Sequence, residues 1–252
     1  MAEIQLVKKI FIFLPFLFLI FNDVSYAAFD ASIPGLNIGS TSEPQGVATS
    51  IKIMILLTIL SVAPAILLLM TSFTRIVIVL SFVRTSLGTQ QMPPNQVIIG
   101  LSLFLTMFIM GPVFSDINEH AYKPFMDGKI TQEQAFKTAS QPIKEFMAKH
   151  TREKDLQLFL DYSKQKKPES LQDIPLHVLI PAYSISELKT AFQMGFMIFL
   201  PFLIIDMIVS SILMAMGMMM LPPVLISLPF KILLFILVDG WHLIVKSLLI
   251  SF

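Results

Sequence analysis

Charged side chains inside apolar stretches are the positions at which this sequence could do chemistry. Asp206 lies in the middle of the run FLIIDMIV, Lys231 and Asp239 lie in the last apolar run, and Arg75 lies in the first. A charge at membrane depth is costly unless it is paired or hydrated. Such groups could relay protons, as in transporters, or form ion pairs between helices or between subunits.

Ion pairing is the interpretation that these positions favour. A lone buried carboxylate, Asp206, followed by a lysine in the next apolar segment, Lys231, is what a buried pair requires. Glu187, at the start of the third apolar segment, is a second candidate partner for Lys231. We therefore predict interhelix or intersubunit ion pairs among these three residues and Arg75, with a proton relay as the alternative.

Established catalytic patterns are absent from the sequence. It contains no H-E-x-x-H, no G-x-S-x-G, no phosphate-binding G-x-x-x-x-G-K-[ST] and no cysteine. The histidines are scattered without metal-ligand spacing, which favours loop or interface positions: His120, His150, His177 and His242. An intramembrane hydrolase would have only Asp206 and Asp239 as paired acids. We expect no catalytic residue, no metal and no cofactor.

The composition indicates a membrane protein. Of 252 residues, 55% are hydrophobic and only 14% are charged, and the mean hydropathy is +0.76. A soluble core of this size cannot bury so much apolar surface, so much of it must face lipid or other subunits. The net charge of +1 gives no basic field that would attract nucleic acid.

The first 27 residues have the features of a cleavable signal peptide. Lys8 and Lys9 precede an apolar run that is shorter than a membrane span, and Ser25-Tyr-Ala27 fits a cleavage site before Ala28. An uncleaved first transmembrane helix is the alternative. Residues 28–50 are rich in glycine, proline and small polar residues, which predicts a flexible periplasmic leader.

Four further apolar segments predict an all-α membrane protein. They cover residues 51–82, 97–114, 191–216 and 224–250, each near or above the length of a span. We expect two hydrophobic helical hairpins, at 51–114 and 188–252. A small-solute transporter would need related halves with broken helices, and no internal repeat is evident.

Residues 115–187 carry most of the charge and predict a small helical domain outside the bilayer. Thr131 and Gln134 have the spacing of a capping box at the start of a helix over 131–148, and a second helix is expected over 152–162. After signal cleavage, two spans precede this domain, which would therefore be periplasmic. Arg84 in the preceding short loop agrees with the positive-inside tendency.

The tip of the second hairpin is rich in methionine. Met216, Met218, Met219 and Met220 surround Gly217, which permits an unusual backbone angle, and two helix-breaking prolines follow, Pro222 and Pro223. Methionine could simply fill an irregular core. Because methionine is flexible, a ring of such loops could also close around varied extended polypeptides. The residues alone leave both interpretations open.

Residues 181–196, PAYSISELKTAFQMGF, resemble the characteristic stretch of the FliP family of flagellar type III export-gate proteins. Residues 69–80 (LMTSFTRIVIVL), 87–96 (LGTQQMPPNQ), 216–223 (MGMMMLPP) and 239–241 (DGW) fit the same family in order. This resemblance covers essentially residues 51–241. The signal region and the charged middle carry little of it.

The resemblance implies a subunit of the flagellar basal body in the bacterial inner membrane. It implies about five copies assembled with FliQ and FliR into a portal for unfolded flagellar proteins, next to FlhA, FlhB and the surrounding MS-ring protein. The methionine-rich loop would then act as a pore gasket through Met216 and Met218–Met220. Aromatic residues of the third segment would line the pore or pack against neighbouring helices: Phe192, Phe196 and Phe199.

Virulence-type secretion systems contain close relatives, the SctR and SpaP proteins. The cleavable signal and the string QQMPPNQ favour the flagellar form over an injectisome subunit.

Overall fold

The computed structural model describes residues 44–89, 91–163, 170, 173–218 and 221–252, with side chains from residue 51 onward. The predicted signal peptide, with Ala27 and Ala28 at its cleavage site, lies outside the described residues. Two methionines of the predicted gasket, Met219 and Met220, also lie outside them.

The described residues form helices and connecting turns, with no strand among them. The helices are α1 (Pro44–Leu69), α2 (Phe73–Ser86), α3 (Asn95–Ile117), α4 (Lys123–Met126), α5 (Gln132–His150), α6 (Glu153–Ser163), α7 (Leu176–Ala215), α8 (Pro223–Leu237) and α9 (Gly240–Ile250). A single π-helical turn, Asn118–Tyr122, joins α3 to α4. The prediction of an all-α protein is confirmed.

In the part of the chain that the structure describes, three stretches of helix are long and apolar enough to cross a membrane: Ile51–Leu69, Asn95–Met126 and Leu176–Ala215. Helices α8 and α9 form a fourth candidate together, although they meet at an angle of 62°. The second and third stretches extend past the boundaries expected between the hairpins and the helical domain, at residues 114 and 188.

The first apolar segment is two helices, α1 and α2, where one long segment was expected. Pro64 lies inside α1, and the break comes at residues 70–72. Thr71 accounts for part of this break, because its hydroxyl donates to the carbonyl of Leu68, 3.0 Å away. The hydroxyl of Tyr183 on α7 then donates to the carbonyl of Thr71 at 3.0 Å. Side-chain hydrogen bonds of this kind compete with helical backbone pairing.

Helix α2 is at the centre of the larger hydrophobic core. Ile76, Val79, Leu80 and Val83 are buried at helical spacing along it. Their neighbours in this core come from α3, α7, α8 and α9: Ile98, Ala191, Phe202, Phe235, Ile244 and Leu248. This packing fixes the relative positions of the helices that carry the charged side chains.

A second core joins α5 and α6 to the first turns of α7. Met147, Val178, Leu179 and Tyr183 are buried in it. Helix α5 begins with the expected capping box, in which the Thr131 hydroxyl accepts from the Gln134 N–H and the Gln134 side chain accepts from the Thr131 N–H. The charged middle of the chain therefore folds as packed helices.

The kink between α8 and α9 follows from Asp239 and Gly240. Asp239 has a left-handed backbone with φ of 50°, a conformation that ends regular helix. A Cβ at Gly240 would lie 2.3 Å from the ring of Phe235, so only glycine allows this ring to pack there. The ring of Trp241 then meets Phe235 edge to face at 5.3 Å.

Large apolar side chains remain exposed on α3, α7 and α8. Phe104, Met197 and Leu237 are examples, each with more than two thirds of its surface accessible. Contiguous apolar surface of this kind marks contact with lipid or with other protein chains.

Candidate functional site

Arg75 on α2 and Glu187 on α7 form a buried two-point ion pair. Nε of Arg75 donates to Oε2 of Glu187 at 2.8 Å, and Nη2 donates to Oε1 at 2.5 Å. Paired contacts of this type fix both distance and orientation. The pair therefore locks the start of α2 against α7.

The remaining side of the Arg75 guanidinium contacts the segment that follows α9. Nη1 donates to the carbonyl oxygen of Ser251 at 2.8 Å and to its hydroxyl at 2.9 Å. The guanidinium carbon lies 3.8 Å from the centre of the Phe252 ring, in cation–π geometry. One side chain thus links α2, α7 and the end of α9.

Asp206 and Lys231 form the second pair, between α7 and α8. Nζ of Lys231 lies 2.6 Å from Oδ2 of Asp206, and the Ser227 hydroxyl donates to Oδ1 at 2.5 Å. Lys231 is 2% exposed and Asp206 26%. Gly88, in the turn between α2 and α3, lies against this pair, because a Cβ there would be 3.7 Å from Nζ. Glu187, the other candidate partner of Lys231, pairs with Arg75 instead.

A third polar cluster joins α6 to α7. Oδ2 of Asp155 accepts hydrogen bonds from Ser186 Oγ at 2.6 Å and from Arg152 Nε at 2.8 Å. Burial alone would raise the pKa of Asp155. The hydrogen bonds from Ser186 and Arg152, together with the arginine charge, outweigh burial and lower the pKa below its ordinary value.

The tip that follows α7 is shaped by Gly217. Its φ of 74° is left-handed, and two hydrogen bonds close the helix end: Gly217 N–H to the Met214 carbonyl and Met218 N–H to the Leu213 carbonyl, both 3.0 Å. These are the contacts of a Schellman motif. Met216 and Met218 are exposed on this tip. Pro222 precedes α8, and Pro223 is its first residue.

The predicted aromatic residues follow one side of α7. Phe192 and Phe196 are exposed, and Phe199 is half-buried. Phe192 meets the ring of Phe82 on α2 edge to face at 5.4 Å. A Cβ at Gly195 would lie 2.5 Å from the Phe82 ring, so this glycine allows α2 and α7 to pack closely.

Among the described residues, the histidines other than His150 and the two predicted membrane-depth acids lie apart from one another. His120 contacts Asp116 on the surface at 2.7 Å, and His177 and His242 are exposed. Asp206 is engaged by Lys231, whereas Asp239 is at the α8–α9 kink. Within the described ranges, no group of three histidine, cysteine or acidic residues could hold a metal ion.

Several structural contacts were not foreseen from the sequence. Ser227 lies one helical turn before Lys231, so its spacing could have indicated a shared partner. Ser186 and Gly195 are small or polar residues within an apolar helix, a composition typical of close helix contacts in membranes. The contact of Arg75 with Ser251 and Phe252 has no comparable local signal.

Together, the fold and these clusters define an all-helical membrane protein whose buried charges join helices to one another. A sequence model described as the FliP family matches residues 56–248. The chain belongs to the FliP family, as its sequence motifs indicate.

The following relatives match this chain over most of their own lengths. The chain is 70% identical over 217 residues to the flagellar biosynthetic protein FliP of Bacillus subtilis, covering 86% of this chain and 98% of that protein. The protein of the same name from Pectobacterium carotovorum is 53% identical to this chain over 203 residues, which cover 81% of this chain and 79% of that protein. The one from Aquifex aeolicus is also 53% identical, over 205 residues that cover 81% of this chain and 86% of that protein.

Proposed function

We propose that this chain is a core subunit of the flagellar type III protein export apparatus. With partner membrane proteins it forms the gated pore through which unfolded flagellar proteins are secreted. The similar proteins named flagellar biosynthetic protein FliP support this assignment, since the Bacillus subtilis protein matches along nearly its whole length.

The methionine-rich tip is the structural observation that carries the gate hypothesis. Gly217 turns the chain sharply after α7, and Met216 and Met218 are exposed in the turn between α7 and α8. Loops from neighbouring copies would meet at the pore axis, with Met219 and Met220 completing the gasket. Flexible methionine side chains can repack around different cargo segments. The protein would conduct polypeptides without transforming them, so it is not an enzyme.

The expected setting is the bacterial inner membrane at the flagellar basal body, with the helical domain at 115–187 in the periplasm. The exposed apolar faces of α3, α7 and α8 would contact lipid, other copies of this chain, and FliQ and FliR. FlhA, FlhB and the MS-ring protein would be neighbours. About five copies would form the ring.

Native mass spectrometry tests this proposal most directly. The full chain would be co-expressed with its neighbouring membrane proteins and purified in mild detergent. We expect one discrete assembly that contains several copies of this chain and two smaller kinds of subunit, and whose copies begin at Ala28. A monomer or simple dimer without partners would contradict the proposal and favour the small-solute transporter.

A further inference from the structure

The segment after α9 is held by cationic side chains from two other helices. Arg75 on α2 contacts Ser251 and the ring of Phe252, as described above. Lys149 on α5 donates from Nζ to the main-chain oxygen of Phe252 at 3.1 Å. The last described residues thus connect the helical domain to the Arg75–Glu187 pair.

His150, the last residue of α5, approaches the same oxygen. Its Nδ1 lies 2.8 Å from the carbonyl oxygen of Phe146, and its Nε2 lies 3.3 Å from the main-chain oxygen of Phe252. The imidazole lies against two rings that also stack on each other. Its centroid is 4.8 Å from that of Phe146 and 5.2 Å from that of Phe252, and the two phenyl centroids are 6.1 Å apart. These ring contacts hold the imidazole at the end of α5.

Both ring nitrogens of His150 face hydrogen-bond acceptors. A neutral imidazole carries one N–H, so it can donate to only one of the two oxygens, whereas imidazolium donates to both. The shorter contact, to Phe146, lies within α5 and survives in the neutral form with Nδ1 protonated. The contact to Phe252 is then the one that is lost.

We propose that His150 is a pH-sensitive clamp, in which protonation supplies the second N–H and ties the end of α5 to Phe252. Protonation strengthens the attachment of the helical domain to the end of α9, and deprotonation loosens it. This inference goes beyond the proposed export role and does not depend on it.

Several charged groups surround the clamp. From α2, Arg75 stacks on the ring of Phe252. From α7, Glu187 pairs with Arg75 and interacts electrostatically with His150. Lys149 donates to the same oxygen as His150.

Further groups lie around these residues. Tyr183 on α7 contacts the Phe146 ring. Arg152, between α5 and α6, and Asp155 on α6 pair with each other. Because Lys149 remains bound, loss of the His150 proton weakens the clamp without abolishing it.

Tryptophan fluorescence can measure this attachment in the full chain. Trp241 is the only tryptophan in the sequence. The double variant Trp241→Phe/Phe252→Trp, which serves as the parent protein here, therefore reports from position 252 alone. Collisional quenching by acrylamide would be measured in detergent between pH ~8 and ~5. We expect the quenching constant to fall in a single step as the pH is lowered.

Matched variants test whether this step in the quenching constant comes from His150. In His150→Gln, the quenching constant should not change with pH and should stay at the high-pH value of the parent protein. His150→Asn serves the same purpose if circular dichroism shows that the glutamine variant does not fold. His120→Gln, which removes a surface histidine, and Lys149→Gln should both keep the step. A flat profile in the parent, or a step that persists without His150, overturns the proposal.

Discussion

Arg75 and Glu187 are separated by 112 residues in the sequence, yet their side chains are only 4% and 0% exposed and bind each other at two points. Burial of one partner without the other would leave an uncompensated charge in an apolar core. The pair therefore requires that α2 and α7 pack in a single register.

Replacing Glu187 with alanine should destabilise the folded chain by ~3–5 kcal/mol, the usual cost of breaking a buried pair. The loss would be measured as a lower unfolding midpoint of the purified protein in detergent. Asp127→Ala is the matched control, because its pair with Lys129 is exposed, at 55% and 71%. That control should change stability by at most about 1 kcal/mol. Equal losses in both variants would contradict the prediction.

The Asp206–Lys231 pair leads to a prediction about assembly. Lys231→Ala should prevent recovery of the assembled complex, because Asp206 is left without its cation beside an apolar interface. The exchange Asp206→Lys/Lys231→Asp should restore part of the assembly. Ser227→Ala removes only the second hydrogen bond and should cost about 1 kcal/mol. Co-purification of the partner subunits measures all three variants.

A different result would change the role of this pair. If Lys231→Ala assembles normally but abolishes secretion, the pair takes part in conduction and not in assembly, and the proton-relay alternative is then the better hypothesis.

Parts of this fold could be predicted from the sequence because they depend on local chemistry. Long apolar runs must form helices in a membrane because every backbone group needs a partner. The capping box at Thr131 depends on residues three positions apart. Asp206 and Lys231 could be proposed as partners because a lone acid in one apolar segment needs a cation and the next apolar segment supplies one, and in the structure the two form an ion pair.

Contacts between residues far apart in the sequence could not be predicted in the same way, because the packing of the helices selects the partners. Glu187 had several possible cations, and only the packing of α2 against α7 selects Arg75. The break at Thr71 depends on a hydroxyl from Tyr183, which hydropathy does not register. The attachment of Phe252 to α5 joins segments that share no sequence pattern.

Gly217→Ala should destabilise the tip, because an alanine in the left-handed conformation costs roughly 1–2 kcal/mol. Gly100→Ala is the matched control. Gly100 lies within α3, and a Cβ there meets nothing within 4 Å, so the substitution should stabilise the helix by about 0.5–1 kcal/mol. The unfolding midpoint should fall in Gly217→Ala and rise in the control. A rise in Gly217→Ala would contradict the left-handed turn at this position.

The gasket hypothesis predicts ion leakage when the tip loses its methionines. Replacing Met218, Met219 and Met220 with alanine should raise ion flux through the assembled complex in liposomes, because the smaller side chains leave the axis open. Subunit composition should remain unchanged. The matched control replaces three exposed methionines elsewhere, Met54, Met107 and Met126, and should not leak. Unchanged flux in a verified complex with the altered tip would remove the support for the seal.

Asp155 predicts how stability depends on pH in the helical domain. Its folded-state pKa is lowered, because hydrogen bonds from Ser186 and Arg152 and the arginine charge outweigh burial. The unfolded state therefore binds its proton more readily as pH falls. Asp155 contributes its full stabilisation above the unfolded pKa of ~3.9 and loses it as pH decreases through the lower folded value.

The test compares the parent with Asp155→Asn by thermal unfolding in detergent from pH ~6 downward. The parent should be more stable near pH 6, and the difference should shrink below pH ~4, where the carboxylate of the unfolded chain is protonated. Ser186→Ala removes one donor to Asp155 at 2.6 Å, so the folded pKa of Asp155 should rise toward the unfolded value. The pH-dependent loss of stability should then be smaller and should end at a higher pH. A difference that stays constant across the range would show that Asp155 acts through packing and not through its charge.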